Sequence, residues 1–310
     1  MRIFNYLKQG LLIAICALLP FAASVQAADK FKPFVLAERG SGDLKEKVEE
    51  VKESLRDAGF DIVGDYASFT DSDLIGYEAS VIIFTSDAIK QVAALTEYGG
   101  FAMAQRAAVV DTGTEIQVSY INPVYMAHAY RLRSDFANTA TALEEALGRV
   151  QEFGSDKGLS ERKLRKYHYT FGMEYFPDVY ELAEHSSHRA AVAAVEKNLE
   201  KDDGVEPLYR IDMPGKDVTI IGVSMQAGPE GDKYMDDAFQ MSVVDFGELK
   251  NSAYLPYEIM ITGDEVVALH MRFRAAVHFP DLSMMGSNSF MKLMPSPGAI
   301  EEALRAAVTE

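Results

Sequence analysis

Apolar residues along the chain alternate between helical and strand spacing, and they do so in the same order twice. The first clear stripe has the three- and four-residue spacing of a helix that buries one face. It consists of Leu44, Val48, Val51 and Leu55. Ser41 or Asp43 can cap such a helix, and Gly59 can end it. The pattern therefore predicts a helix over residues 41–59.

Runs of β-branched and alternating apolar residues predict the strands of the first half. These runs cover residues 60–66, 80–85, 101–110 and 115–121. The last two flank a turn-forming Asp-Thr-Gly-Thr segment, which indicates a hairpin. Between them and at the end, residues 87–95 and 138–150 have the composition of helices.

The second half repeats this order of elements. Its predicted strands cover residues 168–176, 205–211, 218–224, 257–262 and 265–274. Its long helix, over residues 184–202, carries a stripe that matches the first one at a constant offset: His188, Val192, Val195 and Leu199. The closing helices contain hexapeptides, 142–147 and 299–304, that agree at five of six positions. Pro123 and Pro280 precede these hexapeptides by the same 19 residues.

We interpret this repetition as a tandem duplication. The first unit covers residues 30–150 and the second covers 165–310, and a polar linker over 151–164 joins them. The second unit carries an insertion near 226–255 that is rich in Gly, Asp and Lys. Each unit has the order strand, helix, strand, strand, hairpin, helix. This order predicts an α+β class with two tandem two-layer units, each a mainly antiparallel sheet with helices on one face.

The N-terminus has the features of an export signal. Arg2 and Lys8 precede a short apolar run over residues 11–19, and the segment ends in small residues up to Ala27. The run is shorter than a membrane-spanning helix requires. We therefore predict a cleaved signal peptide over residues 1–27. The mature protein would be periplasmic or secreted and would have no integral membrane segment.

The charge and the cysteine content of the chain argue against several classes of function. The chain has 47 acidic against 30 basic residues, a formal net charge of -17. Such a surface argues against nucleic acid and against an anionic membrane as the main partner. The only cysteine, Cys16, lies within the predicted signal peptide. The mature protein would therefore have no disulfide, no thiol nucleophile and no thiolate metal site.

Short motifs in the first half match a known family. They are the helix end over residues 57–60, the strand–helix–strand stretch over 82–110, and Asn122-Pro123 after the last strand. On these motifs the first half resembles the domain-of-unknown-function 302 family, and the second half resembles a degenerate relative. The resemblance implies a two-layer α/β unit and no established activity. Family members carry Cys-Asn-Pro and Pro-Cys where this chain has residues 85–87 and 102–104 without cysteine, so no thiol-dependent role is implied here.

One face of the second predicted sheet carries charged residues. His270, Arg272 and Arg274 alternate with apolar residues in the predicted strand 265–274, so they would share a face. Glu174 would lie on the same face of the strand over 168–176. An arginine fork fits oxyanions, so we predict that Glu174, His270, Arg272 and Arg274 bind an anionic ligand. The alternative is that the two arginines pair with acidic residues of the other unit.

A second group of candidate ligands lies near the C-terminus. His278, Met284, Met285 and Met291 combine an imidazole with soft thioether sulfurs, a set that suits Cu(I). Copper is therefore a candidate cofactor. The alternative is that these methionines fill the core, because methionine is also a flexible packing residue.

These features favour a secreted, non-enzymatic periplasmic binding or accessory protein. Its ligand, a small anionic or apolar molecule, would lie in the cleft between the two units, where pockets commonly form. One alternative is a periplasmic enzyme that acts on a small anionic substrate, with His270 or His278 as acid/base and Arg272 holding the anion. The other is a copper-binding protein.

Overall fold

The computed structural model describes residues 29–201, 204–228 and 231–309. The predicted signal peptide, residues 1–27, lies outside these ranges. Within them, no helix combines the length and the apolarity that crossing a membrane requires.

The first half forms one antiparallel sheet that helices cover on one face. Its elements in chain order are β1 (Lys30–Phe31), β2 (Phe34–Gly40), α1 (Leu44–Asp57), β3 (Asp61–Tyr66), β4 (Glu78–Thr85), α2 (Asp87–Ala93), β5 (Gln105–Asp111), β6 (Ile116–Ile121), α3 (Pro123–Ala129), α4 (Ala137–Leu147) and β7 (Gln151–Phe153). The strand order of the sheet is β3-β4-β5-β6-β2-β7. Helix α1 packs on β3, β4 and β5, and α4 packs on α1 and β2.

Helix α1 forms where the apolar stripe predicts it. The Asp43 side chain accepts hydrogen bonds from the backbone N–H groups of Lys45 and Glu46, so Asp43 is the N-cap. The stripe residues Val48, Val51 and Leu55 are buried against the sheet. The prediction of this helix is confirmed, and its cap is Asp43 and not Ser41.

The segment over 151–164, which the sequence predicts to be a polar linker, contains two short strands that pair with the first half. Strand β7 adds to the edge of the first sheet beside β2. A second short strand, β8 (Leu159–Ser160), pairs with β1. Helix α5 (Glu161–Leu164) follows it directly. The segment therefore ties the chain back onto the first half.

The second half forms its own antiparallel sheet and helical layer. Its elements are β9 (Val179–Glu184), α6 (His188–Leu199), β10 (Val205–Asp212), β11 (Val218–Met225), α7 (Asp237–Val244), β12 (Tyr257–Thr262), β13 (Glu265–Leu269), α8 (Met271–His278) and α9 (Ser296–Val308). The strand order is β10-β11-β12-β13-β9. Helix α6 packs on β10, β12 and β13, while α9 packs on β9, β10 and α6. Each half is thus a two-layer α+β unit, which confirms the predicted fold class.

The two sheets share one strand order, because β3-β4-β5-β6-β2 corresponds to β10-β11-β12-β13-β9. Directly after the hairpin, Asn122 caps α3 and His270 caps α8. The structural counterpart of Pro123 is therefore Met271. The equal spacing from Pro123 and Pro280 to the closing helices does not mark equivalent positions. The duplication itself stays a prediction.

Two predicted strands of the second half are wrong. Residues 168–176 form a loop, in which Gly172 has a φ of +80° and Phe171 is 98% exposed. The first strand of this half is β9 instead. The predicted strand 265–274 ends at Leu269, and helix α8 follows. A short alternating run fits a strand, but its apolar positions can equally continue onto a helix face, so the alternation did not determine the boundary.

The faces of the two sheets that point away from their helices meet in the interior. The Tyr66 hydroxyl in β3 donates to the carboxylate of Asp237 at 2.8 Å, and the Tyr77 hydroxyl donates to Asp245 at 2.6 Å. Both carboxylates belong to the insertion of the second half. Between the sheets themselves, the buried side chain of Arg106 in β5 lies 3.5 Å from Glu258 in β12, so the layers run helices, sheet, sheet, helices. Residues of the insertion pack between the halves.

Candidate functional site

The structure brings together three of the four predicted anion-binding residues. An oxygen of the Glu174 carboxylate accepts a hydrogen bond from Arg272 at 3.0 Å and lies 3.4 Å from Nε2 of His270. Arg274 is buried between the sheets, away from this surface group. The reason is the helix: residues 272 and 274 differ by about 200° around a helix axis, whereas they would share a face of a strand.

His270 is the N-cap of α8. Its Nδ1 accepts the backbone N–H of Arg272 at 3.2 Å, so Nε2 is the nitrogen that can donate toward Glu174. Burial lowers the pKa of His270, and the Glu174 carboxylate opposes this shift. Because the Glu174 charge is already matched by Arg272, the group is suited to anchoring α8. It has no excess cation for an anionic ligand.

The predicted copper ligands do not assemble into one site. His278 is fully buried, and its ring contacts Phe34 and Tyr254. In contrast, the side chains of Met284, Met285 and Met291 are 44%, 77% and 49% exposed. Among the described residues, no group of three or more His, Cys, Asp or Glu side chains is placed to hold a metal ion. The histidine and the thioethers therefore belong to different environments.

A cleft of about 410 Å³ lies where the two halves meet. One wall comes from β7 and the residues after it, and the other comes from the segments that follow α7 and α8. The apolar side chains of the lining are Phe153, Val244, Phe246, Leu249, Phe279 and Leu282. Phe246 is unusual among them because it remains 61% exposed. An aromatic ring left in water beside an apolar cleft gains free energy when a ligand covers it.

Acidic groups dominate the polar part of the cleft. Asp281 accepts hydrogen bonds from the hydroxyl of Ser155 at 3.0 Å and from the backbone N–H of Asp156 at 2.5 Å. Glu152 accepts from the backbone N–H of Lys32 at 2.8 Å. The lining has three carboxylates, those of Glu152, Asp156 and Asp281, against the ammonium group of Lys32, and Arg149 pairs with Glu152 from outside the lining. This charge pattern disfavours an anionic ligand and tolerates a neutral or cationic one.

A larger groove of about 640 Å³ is different in character. It lies between the segment after α2 and the turns of the second sheet. Its charged lining residues are Glu97, Lys216, Asp217, Asp264 and Glu265. The backbone carbonyl of Ala94 already binds the ammonium group of Lys216. Four acidic side chains and one lysine thus lie beside apolar residues such as Leu95 and Met260, so this groove has a more charged lining than the apolar cleft.

The apolar cleft is connected through packed rings to a charged interior layer. Phe279, in the cleft wall, packs edge-on against Tyr254 with ring centres 5.0 Å apart. On Tyr254 lies the guanidinium of Arg274, whose Cζ is 4.0 Å from the ring centre. Tyr257 covers the same guanidinium at 4.5 Å. The cleft wall therefore contacts an aromatic ring, Tyr254, that packs against the buried guanidinium of Arg274.

Arg106 and Glu258, at the centre of this layer, are not among the residues that the sequence patterns predict for a site. Glu258 in β12 accepts a hydrogen bond from the Tyr209 hydroxyl at 2.9 Å and lies 3.5 Å from Nη1 of Arg106. The Arg106 and Glu258 side chains are each only 2% exposed. A signal was present, since each is a single charge within an apolar strand run. A charge at such a position indicates a partner from another element.

Asp237 is a second buried acid between the halves. Its Oδ2 accepts from Tyr66 and, at 3.0 Å, from the backbone N–H of Met225, while Oδ1 has no hydrogen-bond partner in the protein. Burial raises the pKa of Asp237 to about 7, although Arg274 and these hydrogen bonds oppose the shift. The folded protein therefore holds this proton to a higher pH than an unfolded chain does.

Because of the raised pKa of Asp237, we predict that the free energy of unfolding falls as the pH rises. The shift places the folded pKa above the unfolded value of 3.8, so the stabilising effect is complete below about pH 4 and is lost as pH rises through about 7. We expect Asp237→Asn to gain about 2 kcal/mol over wild type between about pH 5 and about pH 8, at about 1.4 kcal/mol per pKa unit. Urea unfolding at several pH values measures this difference.

The exposed Asp57 at the end of α1 provides the control. Asp57→Asn removes a carboxylate that is exposed to water and is measured over the same pH range. A constant difference for Asp237→Asn would contradict the proposed titration of the buried carboxyl.

No protein-family model and no curated protein matches this sequence. The resemblance to the domain-of-unknown-function 302 family therefore rests on the motifs over 57–60, 82–110 and 122–123, and it stays a prediction.

Proposed function

We propose that this is an exported, non-enzymatic periplasmic protein that binds a small, mainly apolar molecule in the cleft between its halves. The observation that carries the proposal is the apolar lining, which both halves contribute to a cleft of about 410 Å³. Ligand sites of small molecules fall in this size range and favour such junctions. The N-terminal signal features support export.

The charges support an apolar ligand over an anionic one. Glu152, Asp156 and Asp281 line the cleft, with Lys32 as the cation. A carboxylate or phosphate ligand would meet repulsion from these acids and from the net charge of -17. A neutral molecule would meet no such repulsion, and a cationic group would be attracted to the acidic residues of the lining.

The enzyme alternative has less support. His278 is fully buried, so a substrate cannot reach it without opening of the fold. His270 uses one ring nitrogen to cap α8 and directs the other to Glu174. Arg272, the proposed anion holder, is paired with the same carboxylate. A binding protein needs none of these groups to be free.

Phe246 offers a direct test of the cleft. We expect Phe246→Ala to bind the neutral dye N-phenyl-1-naphthylamine about tenfold more weakly than wild type, a loss of about 1.4 kcal/mol, because the variant loses an aromatic contact surface. A fluorescence titration measures the affinity. Phe171→Ala is the matched control, since Phe171 is 98% exposed and lies outside the cleft lining. Equal affinities of wild type and Phe246→Ala would contradict the assignment.

Protein purified from the periplasm can test two points at once: whether the chain is exported and whether it carries a bound ligand. Native mass spectrometry of the periplasmic protein should show a mass increment that organic solvent removes and that Phe246→Ala reduces. The N-terminus should begin at Ala28. A chain that keeps Met1 would contradict export, and unliganded wild type that also fails to bind the dye would contradict the binding function.

A further inference from the structure

Two buried arginines converge on one backbone carbonyl between the sheets. Arg106 Nη1 donates to the carbonyl oxygen of Pro256 at 3.2 Å, and Arg274 Nη2 donates to the same oxygen at 2.6 Å. Arg274 Nη2 also donates to the carbonyl of Tyr254 at 2.5 Å. Both arginines are at most 2% exposed. Two like charges are therefore neighbours in a region that water does not reach freely.

Carboxylates are scarce around this pair. Glu258 lies 3.5 Å from Arg106, but no carboxylate of the described residues lies within 4 Å of Arg274. The carboxyl of Asp237 also interacts with Arg274, but burial raises its pKa to about 7 and so disfavours its charged form. The nearby His278 stays neutral, since burial lowers its pKa well below the usual value. Within the described residues, Glu258 is thus the one carboxylate within 4 Å of the two guanidinium groups.

The hydrogen-bond donors of the layer are also incompletely used. Nε of Arg106, and both Nε and Nη1 of Arg274, have no hydrogen-bond partner in the protein. The hydroxyl of Tyr254 has none either. A buried charged donor without a partner destabilises the folded state, so each such group calls for a partner.

The shape of the site limits that partner. Tyr254 and Tyr257 cover the Arg274 guanidinium at 4.0 Å and 4.5 Å from their ring centres. A ligand can therefore approach only the edge of the guanidinium, where the N–H groups point. Both tyrosines are 1% exposed, so this edge of the guanidinium is shielded from bulk water. A shielded guanidinium edge with unpaired N–H groups suits a compact monovalent anion.

We propose that the layer between the two sheets binds a halide ion beside Arg106 and Arg274. The ion supplies a negative charge and accepts from the unpaired N–H groups. It would link β5 of the first half to α8 of the second, and so stabilise the contact between the halves. This site is separate from the apolar cleft, and neither proposal depends on the other.

Thermal unfolding at about pH 6 tests whether a halide ion binds and stabilises the folded protein. At equal ionic strength, replacing sodium gluconate, whose anion is too large for a shielded site, by sodium bromide should raise the Tm of wild type by about 2 °C or more. Arg274→Met should lose this gain, because the cation is gone. Arg210→Met should keep it, since Arg210 is a 40% exposed arginine paired at the surface. A full gain in Arg274→Met would overturn the proposal.

Crystals of wild type grown with bromide give an independent answer that needs no variant. The anomalous map should show a bromide next to the Arg106 and Arg274 guanidinium groups. A map without a peak there, with water or nothing beside the arginines, would overturn the proposal even if bromide binds elsewhere. This measurement decides the question alone if Arg274→Met fails to fold.

Discussion

Glu258→Ala is expected to lower the free energy of unfolding by about 3–5 kcal/mol, because it leaves a buried guanidinium without its carboxylate. Glu258 lies 3.5 Å from Arg106, and both side chains are 2% exposed. The substitution also removes the acceptor of the Tyr209 hydroxyl, which is 2.9 Å away. Urea unfolding by circular dichroism measures the loss.

Two further variants separate the charge from the hydrogen bond. Glu258→Gln keeps an acceptor for Tyr209 but removes the charge, so it should lose less than alanine does. Glu196→Ala removes a carboxylate that pairs with Arg210 at the surface, where it is 47% exposed, and should cost about 1 kcal/mol or less. If Glu258→Ala costs no more than Glu196→Ala, the interior ion pair does not stabilise the contact between the halves.

Gly222→Ala is expected to destabilise the second sheet by about 3 kcal/mol, at the upper end for overpacking. Gly222 lies opposite Tyr209 and Glu258 in neighbouring strands. The Tyr209 ring lies across the glycine, and a Cβ there would be 1.9 Å from Cε1 of that ring. The ring cannot move away without losing its hydrogen bond to Glu258. Chemical unfolding measures the cost.

A double-mutant cycle identifies the cause. In a Tyr209→Ala background the added methyl group has room, so Gly222→Ala should cost less than about 1 kcal/mol. Gly76→Ala is the control, because a Cβ at the exposed Gly76 meets no atom within 4 Å. An equal cost with and without the Tyr209 ring would show that the clash is not the reason.

Local patterns determined which segments form the α+β units. The stripe through Val48, Val51 and Leu55 and the cap at Asp43 are short-range features, so the sequence alone predicts α1. The buried run over 80–85 likewise predicts β4. The same reasoning failed for residues 168–176 and 270–274, because alternation over a few residues does not distinguish a strand from a loop or a helix start. There the left-handed Gly172 and the His270 cap decided the backbone.

Only the tertiary structure decided which residues of the two units come into contact. Arg106 and Glu258 lie far apart in the chain, and no local pattern relates them. They meet because the inner faces of the two sheets pack against each other. The same packing buries Arg274 and forms the cleft beside Phe246. Periodicity reports which face of an element is buried, but the partner of that face depends on long-range packing that the sequence pattern does not encode.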